Sequence, residues 1–588
     1  MEPYKWIWGF VDRYKYKIIF ALVLGLCVAS AGLVNPYLSG RIVGDVFQDG
    51  NFGRLGMYLA IMIGLTFTRM VVRYIYFVIL ENASQNILFD LRKAIYRRVQ
   101  EQNFSFFDTN KVGDIMSRMT GDLESVRNMV SHVIHAAFEN TVIFIAAIIM
   151  MFTVNWQMTL LMLAVAPVIF ICTFKQSREI KPAYTKIREQ FAVLNSVCQE
   201  NISGNRVVKA FTKENEEIAK FTKENQEFTD MNLGSVNIWV KYLPILEFSA
   251  GMLFFFLLII GGISVIRGRM ELWRLVTING YLWCVSDPMR ISGWLVNDVQ
   301  RFVASLDKIY ALMRQKINIQ SPENPVVKQK LDGKVAFKNV SFTYDANNSK
   351  TMVLKDINFT AMPGQTVGVV GATGVGKTTL INLIGRFYDA TAGAVEIDGI
   401  NVREYDLLSL RRDIAAAMQD VFLFSDTVEG NVAYGVPEAE MDVVTGCSMT
   451  ASADEFIKAM PDGYDTIVGE RGVGLSGGQK QRISLARALA ADPSILILDD
   501  TTSAVDMETE HEIQLSLRSQ YRHVTKFIIA HRISSVRNAD FILVFENGSI
   551  AERGSHDELL EKKGLYFSLF TDQYGDFQKE MALLDGKE

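Results

Sequence analysis

Three clusters in the second half of the chain carry residue types that handle phosphate. The first is Gly371-Ala372-Thr373-Gly374-Val375-Gly376-Lys377-Thr378, followed by Thr379 and a helical run from Leu380. It follows Val367-Gly368-Val369-Val370, so a buried strand runs into a glycine-rich loop and then a helix, the context a phosphate-binding P-loop requires. Glycines let backbone N–H groups wrap phosphate oxygens, and a helix N-terminus favours their negative charge. In such a loop Lys377 neutralises the terminal phosphates and the Thr378 hydroxyl ligates Mg²⁺. The second cluster is the apolar run Ile495–Leu498 ending in Asp499, a carboxylate directed at the metal, and then Asp500. The third, Leu475-Ser476-Gly477-Gly478-Gln479, opens the helix Ile483–Leu489. It makes a second anion site at a helix N-terminus, unable to serve the chain's own P-loop if the two lie on different faces. Upstream, Val340–Tyr344 reads as a strand ending in an aromatic ring, Tyr344, that can stack on a base.

Positioning these clusters takes an α/β domain, which occupies only part of the 588 residues. Long apolar runs crowd the first half, and six of them approach the roughly 20 residues that cross a bilayer as a helix. They are Ile18–Leu38, Leu55–Leu80, Ser131–Val154, Thr159–Phe174, Ile245–Ile266 and Val276–Val296. The first follows an aromatic and basic stretch and is too long for a signal-peptide core, so it is expected to remain as a span. Two connecting segments, Glu81–Val130 and Lys175–Pro244, are long, rich in Lys and Arg, and helical in periodicity. The basic excess predicts that they face the cytoplasm together with the N-terminus and the C-terminal domain. Unstructured loops of that length are uncommon, so they are expected to continue the spans as helices.

The net charge of −5 gives no reason to expect nucleic acid as a partner. The five cysteines form no CxxC pair, which points to reduced structural thiols. Ionisable residues within or beside the spans are costly in lipid and mark a cavity, a partner helix or an interface. They are Arg69 and Arg73, His135 and Glu139, Glu247, Asp287 and Arg290, and the first two pairs each share one helical face. A polar patch in a substrate path and plain interhelical pairing both account for them.

Taken together, the glycine-rich loop, the LILDD strand and LSGGQ resemble the ATP-binding cassette (ABC) transporter family, and the resemblance covers nearly the whole chain. It is similar to exporter half-transporters, which join six membrane helices to one C-terminal cassette. The resemblance implies a multi-domain fold: an all-α polytopic membrane domain over 1–320, with about six helices and long cytoplasmic extensions, then an α/β P-loop nucleotide-binding domain over 333–575. It further implies ATP and Mg²⁺ as ligands, with Tyr344, Gly371–Thr379 and Ser476–Gln479 holding nucleotide, and Thr378, Gln419 and Asp499 holding the metal. Phe106-Phe107-Asp108 through Arg118, and Gly204–Phe211, look like the family's two cytoplasmic coupling loops. Gln419 matches its Q-loop glutamine, Ser503–Asp506 its D-loop, His531 its switch histidine, and Glu470 the loop preceding the signature.

Asp500 departs from the pattern, since the family carries a glutamate there to polarise the attacking water. A carboxylate one methylene short sits about 1 Å out of place, and a misplacement of that size costs about 10²-fold in rate. Catalysis is assigned to Asp500, Gln419 and His531, with a slow site on this chain. The expected partner is a second, different half-transporter that supplies a true glutamate and borrows this chain's LSGGQ. The expected cargo is a small hydrophobic or amphipathic compound moved out across a bacterial cytoplasmic membrane. A lipid or peptide exporter, a homodimer and a regulatory, channel-like protein are the alternatives on the same engine.

Overall fold

The structure is a computed structural model that describes residues 2–164, 166–344 and 352–585. The chain divides into two compact units, Met1–Gln100 with Val112–Gln315, and Glu101–Lys111 with Lys316–Glu588.

The described residues of the first unit are built from helices. Four are very long: Leu55–Gln100, Ala166–Ser203, Glu214–Phe256 and Leu272–Arg314. At 1.5 Å per residue, helices of this length run roughly 55–70 Å, about twice the hydrocarbon thickness of a bilayer. The lengths explain why the connecting segments keep helical periodicity: they continue the spans. Among the described residues, four stretches are long and apolar enough to cross a membrane, Glu2–Gln48, Phe52–Gln100, Val112–Val154 and Glu214–Ile266. The other two expected spans, Thr159–Phe174 and Val276–Val296, also fall in helical chain. The first is shared between helices Trp156–Leu163 and Ala166–Ser203, and the second carries Asp287, Pro288 and Arg290. Close packing uses small residues, as expected where lipid supplies no hydrophobic drive. A Cβ on Gly280 would lie 2.7 Å from Pro36, and one on Gly40 would lie 1.9 Å from the Thr277 hydroxyl. Beside them the buried Tyr281 hydroxyl donates to the Leu33 carbonyl at 2.9 Å.

The second unit carries two sheets, with strands β1 (Val335–Phe342), β2 (Leu354–Ala361), β3 (Thr366–Gly371), β4 (Ala392–Ile397), β5 (Ile400–Asn401), β6 (Ile414–Ala417), β7 (Ile495–Asp499), β8 (Thr525–Ile529), β9 (Phe541–Glu546) and β10 (Ser549–Gly554). β2-β1-β4-β5 form an antiparallel sheet. The other sheet runs β10-β9-β3-β8-β7-β6, with every pair parallel except β10–β9. Covered on both faces, β3, β7 and β9 are almost continuously buried, which is why they read as unbroken apolar runs rather than alternating ones. One core joins both sheets to helix Lys377–Ile384. A second gathers helices Val428–Val432, Met441–Thr450 and Gly477–Ala490. Glu101–Lys111 lies inside the stretch that the sequence assigns to the membrane domain, yet it packs with this second unit.

Candidate functional site

Parallel strands deliver chemistry to one edge. Because β6, β7, β8 and β3 are neighbours and point the same way, the residues following their C-terminal ends share that edge, the usual ligand side of an open α/β sheet. β3 leads into Gly371–Thr379, β6 into Gln419, β7 into Asp499 and Asp500, and β8 into His531. The four segments, scattered over the sequence, are brought together by topology alone.

Within the glycine-rich loop, Gly371, Gly374 and Gly376 adopt φ values of 150°, 84° and 102°. Gly376 is the left-handed N-cap of helix Lys377–Ile384, a conformation a side chain would strain. A Cβ on Gly371 would also sit 2.5 Å from the Phe545 carbonyl oxygen. Lys377 is buried, and its Nζ donates to the Gly371 and Ala372 carbonyls at 2.7 and 2.9 Å, so the ammonium lies within the curl of the loop. Burial pushes its pKa down, while Asp499 and Asp500 oppose the shift. Ala372, Thr373 and Gly374 are exposed at the tip, and Val375 is half-buried. The Thr378 hydroxyl donates to Asp499 Oδ2 at 3.2 Å, so two hard oxygen groups meet where the resemblance puts Mg²⁺, and their chemistry suits that ion. Asp499 is buried, and burial, aided by Asp500, raises its pKa against the lowering pull of Thr378, Lys377 and His531. A cation there would remove that penalty.

Asp500 has φ 50°, in the left-handed region that aspartate tolerates better than most residues. Its backbone is pinned on both sides. The N–H donates to the Ile529 carbonyl at 2.9 Å, and the carbonyl accepts from Gln481 Nε2 at 3.2 Å and Ser503 Oγ at 3.0 Å. Gln481 also accepts from the Ala504 N–H at 3.1 Å, and Arg532 donates to the Ser503 carbonyl at 3.1 Å. Gln481, on the signature helix, and Arg532, next to His531, thus hold the D-loop in place. The sequence gives no sign of the Gln481 role, because glutamine on a helix reads as surface. His531 is exposed, and its carbonyl accepts from Gln573 at 2.7 Å. Gln419 is exposed beyond β6, and the Glu470 side chain lies outside the described residues.

Ser476 caps helix Gly477–Ala490 in a capping box with Gln479: Gln479 N–H donates to Ser476 Oγ at 3.3 Å, and Ser476 N–H donates to Gln479 Oε1 at 2.9 Å. Gly477 lies against Ala504, and a Cβ on Gly478 would stand 2.7 Å from the Ala504 carbonyl oxygen. Glycine at 478 is therefore a packing requirement of the segment Ser503–Asp506.

Tyr344 is half-exposed, and its hydroxyl is 3.0 Å from Thr379 Oγ1, which fixes the ring beside the P-loop helix. Tyr388 meets that ring edge-on at 5.2 Å and donates from its own hydroxyl to Asp108. Burial, then the Asp108 contact, raises the Tyr388 pKa. Four residues away from Asp108, Phe104 stacks on Phe387 at 4.5 Å. A continuous path runs from the loop segment Glu101–Lys111 to the glycine-rich loop.

In the first unit the charged residues of the spans separate into two groups. His135 Nε2 lies 3.1 Å from Glu139 Oε2, both are buried, and the His135 ring stacks on Tyr76 at 4.8 Å. Arg69 packs its guanidinium against Gly32. The His135–Glu139 pair lies within one helix and packs on a ring of another, and Arg69 sits in a helix contact, so helix packing is what the geometry shows for these groups. Glu247 and Asp287 instead line a cavity of about 2020 Å³. The Arg290 side chain lies outside the described residues.

Residues 18–289 match the family model of the ABC transporter transmembrane region, and residues 354–503 match that of the ABC transporter. The chain is 36% identical over 585 residues to the Bacillus subtilis uncharacterized ABC transporter ATP-binding protein YknU, covering 98% of each. It is 34% identical to the Syntrophus aciditrophicus ATP-dependent lipid A-core flippase, over 96% of this chain and 92% of that one. It is also 34% identical to the Escherichia coli multidrug resistance-like ATP-binding protein MdlA, over 99% and 97%. A solved bacterial Atm1-family ABC exporter with ATP bound superposes with a TM-score of 0.79 at 25% identity, over 95% of this chain and 98% of that one. An all-helical, membrane-embedded domain fused to a nucleotide-binding cassette, with these matches along its length, makes the chain an ABC exporter half-transporter and an ATPase of the ABC family.

Proposed function

We propose that this chain is the slow-site half of a heterodimeric exporter in a bacterial cytoplasmic membrane, with its cassette and N-terminus in the cytoplasm. ATP sits between Gly371–Thr379 of one chain and the LSGGQ of the other. Tyr344 stacks on the base, Lys377 neutralises the β- and γ-phosphates, and the loop N–H groups cradle them. Thr378, Asp499 and Gln419 would hold Mg²⁺, which supplies charge neutralisation at the phosphates when bound. Asp500 orients the attacking water and His531 contacts the terminal phosphate. Ser476–Gln479 completes the competent site on the partner.

One observation carries the assignment of a slow site: the Asp500 backbone is held by hydrogen bonds to Ile529, Gln481 and Ser503. A backbone so fixed cannot advance to make good the missing methylene, so the carboxylate stays about 1 Å short and the rate falls about 10²-fold. Binding groups are intact, so nucleotide is held while hydrolysis lags. Closure of the cassettes then drives the long helices and turns the cavity outward, and hydrolysis on the partner side resets the cycle. The test is Asp500→Glu in the assembled complex. Turnover at this chain's site, isolated by disabling the partner's glutamate, rises at least tenfold; an unchanged rate contradicts the reading.

A further inference from the structure

Asp500 and His531 follow neighbouring strands, since β7 and β8 pair in register as far as Asp499 with Ile529. Beyond those ends the sheet no longer holds them. The chain runs from Asp500 through Thr501–Asp506 into helix Met507–Gln520, and from His531 through Arg532 into the short helix Ile533–Val536. A side chain that meets a reacting group must be held to a fraction of an ångström, which takes supporting contacts beyond the loop itself.

One side chain with no part in the mechanism above spans the two segments. Glu510 lies in the first turn of helix Met507–Gln520 and is 3% exposed. Asp506 caps that helix by accepting from the Thr509 N–H at 2.9 Å, which fixes the turn that Glu510 projects from. Glu510 Oε1 accepts from the Thr502 hydroxyl at 3.0 Å, two residues beyond Asp500. It also accepts from the buried Ser535 hydroxyl, four residues beyond His531. Its Oε2 faces Arg532 Nη1 at 3.8 Å. Arg532 in turn donates to the Ser503 and Val505 carbonyls at 3.1 and 3.3 Å.

Anchoring the helix to the core does not call for a carboxylate. Ile513 and Leu517, its other buried side chains, do that work, and a buried acid carries a desolvation cost that an apolar residue avoids. What the carboxylate adds is one oxygen that takes a hydroxyl from each segment, and so a fixed spacing between them. On its other side the His531 segment is held by Gln573, which donates to the His531 carbonyl at 2.7 Å and accepts from the Ile533 N–H at 3.0 Å.

We propose that Glu510 is a positioning residue of the ATPase: by bridging Thr502 and Ser535 it fixes the His531 segment against the Asp500–Asp506 segment, and so sets the reach of His531 towards the terminal phosphate. This deepens the role proposed above for His531 and rests on it. It does not depend on whether the partner is a different chain.

Single-turnover ATP hydrolysis by the assembled complex in nanodiscs tests the brace, with ATP varied so that the maximal rate and the half-saturating concentration separate. The partner's catalytic carboxylate is removed so that only this chain's site is read; a complex of two identical chains needs no such change. Glu510→Ala lowers the maximal rate by about tenfold or more and moves the half-saturating ATP by less than about twofold. Glu510→Gln keeps an acceptor oxygen for both hydroxyls and gives up only an ion pair to the exposed Arg532, so it stays within about threefold of wild type. His531→Ala is itself slow, and adding Glu510→Ala to it costs less than about a further twofold, because a brace has no effect once the group it places is gone. A full rate in Glu510→Ala, a loss that appears only in the half-saturating ATP, or additive losses in the double variant overturns the brace and leaves the His531 role standing. A full rate in His531→Ala overturns both. Should Glu510→Ala not assemble, Ser535→Ala removes one arm alone: the maximal rate falls by about threefold or more, and an unchanged rate overturns the proposal.

Discussion

A carboxylate at position 500 is held by its backbone to within what one side chain can reach, and the energies favour testing it directly. On the proposed slow-site reading, lengthening Asp500 to glutamate is predicted to restore about 10²-fold in rate, or about 2.7 kcal/mol of barrier. The left-handed backbone at φ 50° accepts glutamate less readily than aspartate, at about 1 kcal/mol. The gain exceeds the cost, so Asp500→Glu speeds this site while lowering cassette stability slightly. Asp499 gives a second prediction at this scale. Its raised pKa means that the folded cassette disfavours the ionised carboxylate at neutral pH in the absence of a cation. Asp499→Asn therefore melts no lower than wild type without nucleotide. Wild type at a hundredfold excess of Mg²⁺–ATP over Kd gains about 2.7 kcal/mol, equivalent to several degrees in Tm for a domain of this size. Asn at 499 loses most of that increment in thermal melts, and an equal increment in both proteins would remove Asp499 from the metal site.

Elements explain what the motifs could and could not foretell. The glycine-rich loop, the Asp499 strand and the LSGGQ helix were readable because parallel strands buried on both faces leave continuous apolar runs, and the chemistry follows at their ends. The spans of the first unit were readable for a related reason, since apolar runs on that scale have few other uses. Contacts across long sequence separations were not readable. Asp108 and Tyr388 are 280 positions apart, and only the fold places that pair between the Glu101–Lys111 segment and the Tyr344 ring. Likewise, i, i+4 spacing put His135 with Glu139 on one face but could not say that the face meets Tyr76 rather than the cavity. The Asp108–Tyr388–Tyr344 path predicts a coupling defect. A hydrogen bond to a carboxylate is worth about 1.5–3 kcal/mol. Tyr388→Phe removes it and keeps the ring, so the ratio of transport to ATP hydrolysis falls several-fold while ATP affinity changes less than twofold. An unchanged ratio in vesicle uptake assays would show that the contact is only packing.

For the whole molecule, the account requires two different chains with divided labour. In the proposed heterodimer Ser476 belongs to the chain with the slow site but serves the partner's fast one, so Ser476→Ala is predicted to lower ATP turnover of the complex by about tenfold or more. In a complex whose fast site is disabled in advance, the same change has little further effect. The capping box of Ser476 with Gln479 makes some loss of helix stability unavoidable, on the order of 1 kcal/mol, and a melting curve separates that loss from the kinetic one. The most direct measurement is the native mass of the complex that copurifies with this chain from its own membrane. A one-to-one assembly with a different half-transporter that carries glutamate at the position of Asp500 is the predicted result. An assembly of this chain with itself would contradict the account, because Asp500 would then serve both sites.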